Sequence, residues 1–119
     1  MSEAQPAVRQ TARDLTAFQK NILTVLAEQP RYGLAIKREL ESYYDDEVNH
    51  GRLYPNLDDL VTKGLVEKSE LDKRTNEYAL TDDGFEAVLD DIEWSLIKFV
   101  IDGDRAAQIR AIVDDATSA

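Results

Sequence analysis

Four side chains within one short stretch carry the chemistry of this chain. His50, Arg52, Tyr54 and Asn56 alternate through NHGRLYPNLDDLVTKGLV, residues 49–66. They supply an imidazole, a planar guanidinium, a phenol and a carboxamide, which hydrogen-bond to base edges and stack on base faces. The same set is poor in catalytic power. His50 is the sole histidine and the chain has no cysteine, so no metal site is expected. No glycine-rich phosphate loop and no nucleophile–histidine–carboxylate trio is present either, so neither catalytic residues nor a cofactor are expected. The acidic clusters Asp45-Asp46-Glu47 and Asp58-Asp59 read as a solvated turn and a solvated helix face.

These groups need an element to present them, and the stretch spells out a helix over 49–64. Asn49 is a good N-cap, and Leu53, Leu57, Leu60 and Val61 repeat on one apolar face. Gly64 supplies the residue type that ends a helix in the left-handed region. Pro55 removes a backbone donor close to the start, where the loss is small, and predicts a tight or bent first turn. A helix N-terminus carrying such groups is the part that enters a major groove. Asn49, His50, Arg52, Tyr54 and Asn56 are therefore the candidate DNA-contacting residues. Tyr54 could equally pack between helix and hairpin.

The 119 residues suit one domain with a modest core, small enough to favour oligomerisation. The absence of cysteine excludes disulfides and thiol redox sensing. No apolar run approaches a membrane span, and MSEAQPAVRQ is too polar for a secretory signal. A cytoplasmic protein with no membrane partner is expected. The formal net charge of -10 opposes nucleic-acid binding. It is unevenly placed, however: residues 1–81 hold 14 acidic and 11 basic side chains, net -3, and residues 82–119 hold 10 and 3, net -7. The 14 Asp and 10 Glu against six Lys point to a halophilic source. In molar salt counterion release contributes little to DNA affinity, so base contacts and shape must contribute more.

Residues 1–14 read as an N-terminal arm or loosely held helix whose Arg9 and Arg13 could reach phosphate. Thr16 and Gln19 form a capping box for a helix to about Gln29, with Phe18, Ile22, Leu23, Val25 and Leu26 inward. A second helix from Tyr32 or Gly33 to Tyr44 places Leu34, Ile36, Leu40 and Tyr43 or Tyr44 inward. After Gly64, residues 65–71 and 76–80 read as a hairpin around 72–75, where a four- or five-residue loop carries Lys73 and Arg74 to backbone phosphate or the minor groove. Thr81 caps a last long helix in which Phe85, Leu89, Ile92, Leu96 and Phe99 repeat at 4-3-4-3 spacing, widened by Val88 and Val100. Ala87, Trp94, Ile97 and Ile101 make a second apolar face on the same helix. Two such faces on one helix argue for a homodimer, closed by a short helix over 104–116 bearing Ile109, Ile112 and Val113.

The order helix, helix, helix, strand, strand is that of a winged helix-turn-helix, mainly α with a small β-hairpin wing and a long C-terminal dimerisation helix. The matching residues are Leu15-Thr16 with Ile22-Leu23, Tyr32-Gly33-Leu34-Ala35-Ile36, Gly51-Arg52-Leu53-Tyr54-Pro55-Asn56-Leu57, Lys63-Gly64-Leu65-Val66 and Tyr78-Ala79-Leu80-Thr81-Asp82-Asp83-Gly84. In these residues the chain resembles the PadR family of winged-helix transcriptional regulators over roughly 15–99. The family's usual small hydroxyl residue after the glycine is replaced by Arg52, which could pair bidentately with guanine. The acidic, lysine-poor surface resembles that of haloarchaeal members, which implies a stress-responsive role. With no cysteine, and Met1 the only methionine, an oxidant signal would have to be indirect.

The expected division is 1–14 arm, 15–81 DNA-binding domain and 82–119 dimerisation helices. The expected function is a homodimeric regulator reading a pseudo-palindromic double-stranded operator, major groove with 49–64 and backbone or minor groove with 72–75. The operator, the sign of regulation and any small-molecule effector are not legible. The rival expectation is a winged-helix protein–protein module that never touches DNA.

Overall fold

A computed structural model describes residues 6–72 and 75–118, and for 6–9 the backbone alone. Six helices and three strands follow in the order α1 Pro6–Arg13, α2 Ala17–Glu28, β1 Arg31–Tyr32, α3 Gly33–Tyr44, α4 His50–Thr62, β2 Val66–Asp72, β3 Thr75–Leu80, α5 Asp82–Phe99 and α6 Gly103–Thr117. The result is a winged helix-turn-helix followed by a long C-terminal helix pair.

Local signals set the ends of these elements. The Thr16 hydroxyl accepts from Gln19 N at 3.1 Å while Gln19 Oε1 accepts from Thr16 N at 3.3 Å, which closes the capping box. Gln19 then donates from Nε2 to Asp59 at 2.8 Å. A residue that caps α2 thereby also ties it to α4. Ile22, Ile36, Leu40, Leu53, Leu57 and Leu60 are wholly buried in one core, joined by Leu65, Val66 and Tyr78 from the sheet side. Burying each such aliphatic side chain stabilises the fold by about 1.5–3 kcal/mol.

Three expectations are corrected. Leu34 is about half exposed and Tyr43 points into solvent. The inward face of α3 is instead set by Gly33, Ile36 and Leu40, spaced three and four apart, which turns position 34 away. The hairpin has a third partner: β1 pairs antiparallel with β3 through Arg31↔Tyr78 and Tyr32↔Glu77, giving the order β1-β3-β2. Finally, the β2–β3 ladder extends to Asp72↔Thr75, with an irregularity between Glu70 and Asp72. The connection is thus two residues rather than four or five. The extra residue is absorbed in the strand as a bulge, where it adds local twist.

Of the residues expected as an arm or loosely held helix, 6–13 form α1, which lies on α5. Ala12 and Leu15 are buried, and Arg13 makes two hydrogen bonds of 3.2 Å from Nε and Nη2 to Asp90. Lys20 on α2 pairs with Asp91 at 3.1 Å. The middle of α5 is therefore gripped from two helices.

Thr81 forms the joint between the two parts of the molecule. Its hydroxyl accepts from Gly84 N at 3.0 Å, capping α5, and donates to the Gly64 carbonyl at 2.7 Å. Directly beside this joint Gly84 lies against the Leu65 carbonyl oxygen and the Leu80 side chain, so an added Cβ would strike both. Gly84→Ala is expected to cost about 3 kcal/mol, because a backbone oxygen cannot swing aside as a side chain can. Urea unfolding of the variant measures this.

Candidate nucleic-acid interface

The surface that presents the four chemistry-bearing residues begins at a well-formed cap. Asn49 Oδ1 accepts from Gly51 N at 2.6 Å. Both Arg52 N and Leu53 N donate to Asn49 O at 3.0 Å, so the first turn is tight, as Pro55 predicts. The helix runs unbroken through Pro55. At its other end Leu65 N donates to Leu60 O and Gly64 N to Val61 O, each at 3.0 Å, with Gly64 at φ 77°. That paired closure satisfies two end carbonyls and turns the chain into β2.

A carboxylate on the preceding helix holds the turn between α3 and α4. Glu41 accepts from Lys37 Nζ at 2.8 Å and from Val48 N at 2.9 Å. The Lys37 side chain first, then the Val48 amide, hold the Glu41 carboxyl below its ordinary range. Asp59 is lowered in the same sense by Lys63 and then by Gln19. A carboxyl that binds its proton less readily folded than unfolded contributes stability fully above its ordinary range and loses it as the pH falls through the folded value. Glu41→Gln is therefore expected to lower the melting temperature at pH 7. The gap to the native protein should narrow as the pH drops below about 4. Melting curves over that range check it.

The expected contact residues of α4 are differently engaged, Arg52 against Phe18 of α2 and His50 stacked with Tyr54 beside Gly33 of α3. His50 is exposed and stacks on Tyr54, with ring centroids 5.6 Å apart and planes 9° from parallel. Tyr54 is half-buried, packed against the core. Its ring occupies the space beside Gly33, where a Cβ would lie 2.5 Å from the phenol oxygen. Asn56 donates from Nδ2 to Arg52 O at 2.7 Å, which leaves its side-chain oxygen available as an acceptor. Asn49 spends its side-chain oxygen on the cap.

Arg52 is the exception among them. Its guanidinium carbon lies 3.9 Å from the centroid of the Phe18 ring. Among the described residues its guanidinium nitrogens meet no hydrogen-bond or ion-pair partner. By contrast, Arg13, Lys20, Arg31, Lys37 and Lys63 are ion-paired. Arg13, expected to reach phosphate, is thus held on α5. Lys73, Arg74 and the Arg9 side chain lie outside the described residues. Sequence reasoning missed Phe18 as a neighbour of Arg52 and Glu41 as the staple of the turn. Lys37 and Glu41 at i, i+4 were a visible ion-pair signal, but the Glu41–Val48 bond requires the turn geometry.

Residues that could join two copies show a different pattern. Val88 and Ala87 are spent on the core within the subunit. Phe85 is 56% exposed, Ile92 48% and Phe99 43%, with Leu89 and Leu96 half-buried between them. On α6, Ile112 is 64% exposed and Ile109 half-buried, and none of the helix's residues is buried. Trp94, Ile97 and Ile101 are also exposed. Among the described residues no helix is long and apolar enough to cross a membrane, and no cluster of three or more His, Asp or Glu could hold a metal ion.

Comparison with known proteins places these features in a group. Residues 22–89 match the transcriptional regulator PadR-like family. The complex structure of hsRosR-S4 is 74% identical, covers 93% of this chain and 96% of its own, and superposes with a TM-score of 0.91. RosR of Halobacterium salinarum grown from NaBr is 76% identical over 91% of this chain and 99% of its own, with a TM-score of 0.88. A PadR-like transcription factor of Bacteroides fragilis, 21% identical over 68% of this chain and 82% of its own, shares the fold at a TM-score of 0.61. No match is found among curated proteins.

Proposed function

The chain belongs to the PadR-like family of transcriptional regulators, and from that premise we propose that it acts as a cytoplasmic homodimer reading a pseudo-palindromic operator. The single observation that carries the reading is the state of Arg52: a solvent-facing guanidinium on the first turn of α4, whose donors meet no partner among the described residues. In a protein of net charge -10, an unpaired arginine at the leading end of a helix-turn-helix is suited to the acceptor edge of guanine. Asn56, whose side chain bonds the Arg52 carbonyl, and the exposed His50 supply further groups for neighbouring base edges. Lys73 and Arg74 at the wing tip would meet backbone phosphate or the minor groove.

The dimer rests on α5 and α6. A 15-residue helix with no buried residue is marginal in water by itself. The exposed stripe of Phe85, Ile92 and Phe99 beside it is the sort of patch that a second copy covers. Two-fold symmetry then sets the α4 helices about one DNA turn apart. A halophilic source accords with the acidic composition and with the similarity to H. salinarum RosR, and a stress-responsive role is part of the proposal.

Genome-wide occupancy in the native host, by crosslinking and immunoprecipitation, tests the reading at its own salt. The expected result is enrichment at discrete promoters that share an inverted repeat. A flat profile from a soluble, dimeric protein would overturn it in favour of a protein-binding winged helix.

A further inference from the structure

We propose that Phe18 is the shelf that aims Arg52 at its base, so that a residue of α2 outside the reading helix determines specificity at one operator position. The inference rests on the assignment of Arg52 to base reading and adds the means by which it is held. A guanidinium has two unlike surfaces: its flat faces are weakly hydrated and stack on aromatic rings, whereas its edge carries five donors in a rigid fork. The 3.9 Å contact with the Phe18 ring uses a face and leaves the edge free. Arg52 is thereby fixed in direction before DNA arrives, and the ordering of a long side chain need not be met again on binding.

The shelf is itself immobilised. Phe18 is 4% exposed and stacks on Tyr44 with centroids 6.1 Å apart and planes 19° from parallel. The Tyr44 hydroxyl accepts from Asn21 Nδ2 at 2.8 Å. Asn21 and Phe18 belong to α2, Tyr44 to α3 and Arg52 to α4, so the aim of the guanidinium is referenced to all three helices. Phe18 also lies ahead of the stretch, 22–89, over which the chain matches its family.

Selection from random double-stranded DNA in molar KCl, run in parallel on the native homodimer and on Arg52→Ala, Phe18→Leu and Phe18→Met, tests the proposal. Arg52→Ala is expected to erase base preference at one position of each half-site. Phe18→Leu and Phe18→Met are expected to blur that same position alone and to weaken binding to the native motif about three- to tenfold, with non-specific affinity unchanged. The ring-current shift of the Arg52 side-chain protons, read by NMR on the free native protein, should vanish in both Phe18 variants.

If the Phe18 variants leave the Arg52 position sharp, or weaken all positions equally, the shelf is refuted while base reading by Arg52 stands. If Arg52→Ala itself changes no position, base reading by Arg52 is refuted and the shelf with it. A native ring-current shift that is absent from the start also overturns the proposal, independently of whether any variant folds.

Discussion

Aspartate at both Ile92 and Ile112 is expected to leave the protein monomeric at micromolar concentration, with its affinity for a two-half-site operator lowered by a factor of about 10²–10⁴. Both side chains are largely exposed in the single chain, so the substitutions remove nothing from its core. In the proposed dimer each would place a carboxylate in an apolar contact, and two-fold symmetry repeats the insertion in the partner. The penalty thus counts twice, which is large against the stability of most small interfaces. The winged body should stay folded, since its buried residues run from Ala12 to Ala87 and include none from α6. Sedimentation velocity in molar KCl, paired with thermal melting, separates the outcomes. A variant that remains dimeric would show that the stripe of Phe85, Ile92 and Phe99 is not the interface and would turn attention to Trp94, Ile97 and Ile101.

Arg52→Ala should weaken operator binding by about tenfold to a hundredfold per half-site, the range for losing one bidentate arginine–guanine pair. The fold should not suffer, because Arg52 is exposed and its side chain's only described partner is the Phe18 ring. Arg52→Lys should recover little, since an ammonium keeps the charge but loses the fork and the stackable plane. Salt dependence sharpens the test. Removing a base-reading arginine should lower affinity at every salt concentration with little change in the slope of log affinity against log salt. Removing a phosphate contact should lower that slope by about one. Fluorescence anisotropy titrations at several KCl concentrations read both quantities. An unchanged affinity would refute a reading role for Arg52.

The sequence carried its boundaries more clearly than its contacts. Thr16 with Gln19, Asn49, Gly64 and Thr81 each announced a helix end by side-chain type, and each makes the bond its type suggests, because capping is local chemistry. The inner face of α4 was equally legible from the spacing of Leu53, Leu57 and Leu60. Position 34 was not. Leucine looks apolar wherever it stands, and its outward turn depends on Gly33 sitting beneath Tyr54 from another helix. A strand of two residues such as β1 has no period to detect, and its pairing with β3 is set by tertiary folding. The engagement of Arg52 by Phe18 joins residues from different helices, so no window on the sequence contains both. Nor could a reading of charge foresee that Arg13 is spent on Asp90. Surface charges were visible; their partners were not.

A helix with no fully buried residue has no fold of its own to return to. α6 is long enough to be helical when supported, yet marginal when alone, and within one subunit none of its residues is buried. In the proposed homodimer, helix content should therefore depend on how much protein is present. Diluting the sample through the subunit dissociation constant should lower the far-ultraviolet signal per residue at 222 nm, although no denaturant has been added. Roughly the last four turns of the chain would then act as a gauge of company, wound when a second copy is at hand and slack when it is not.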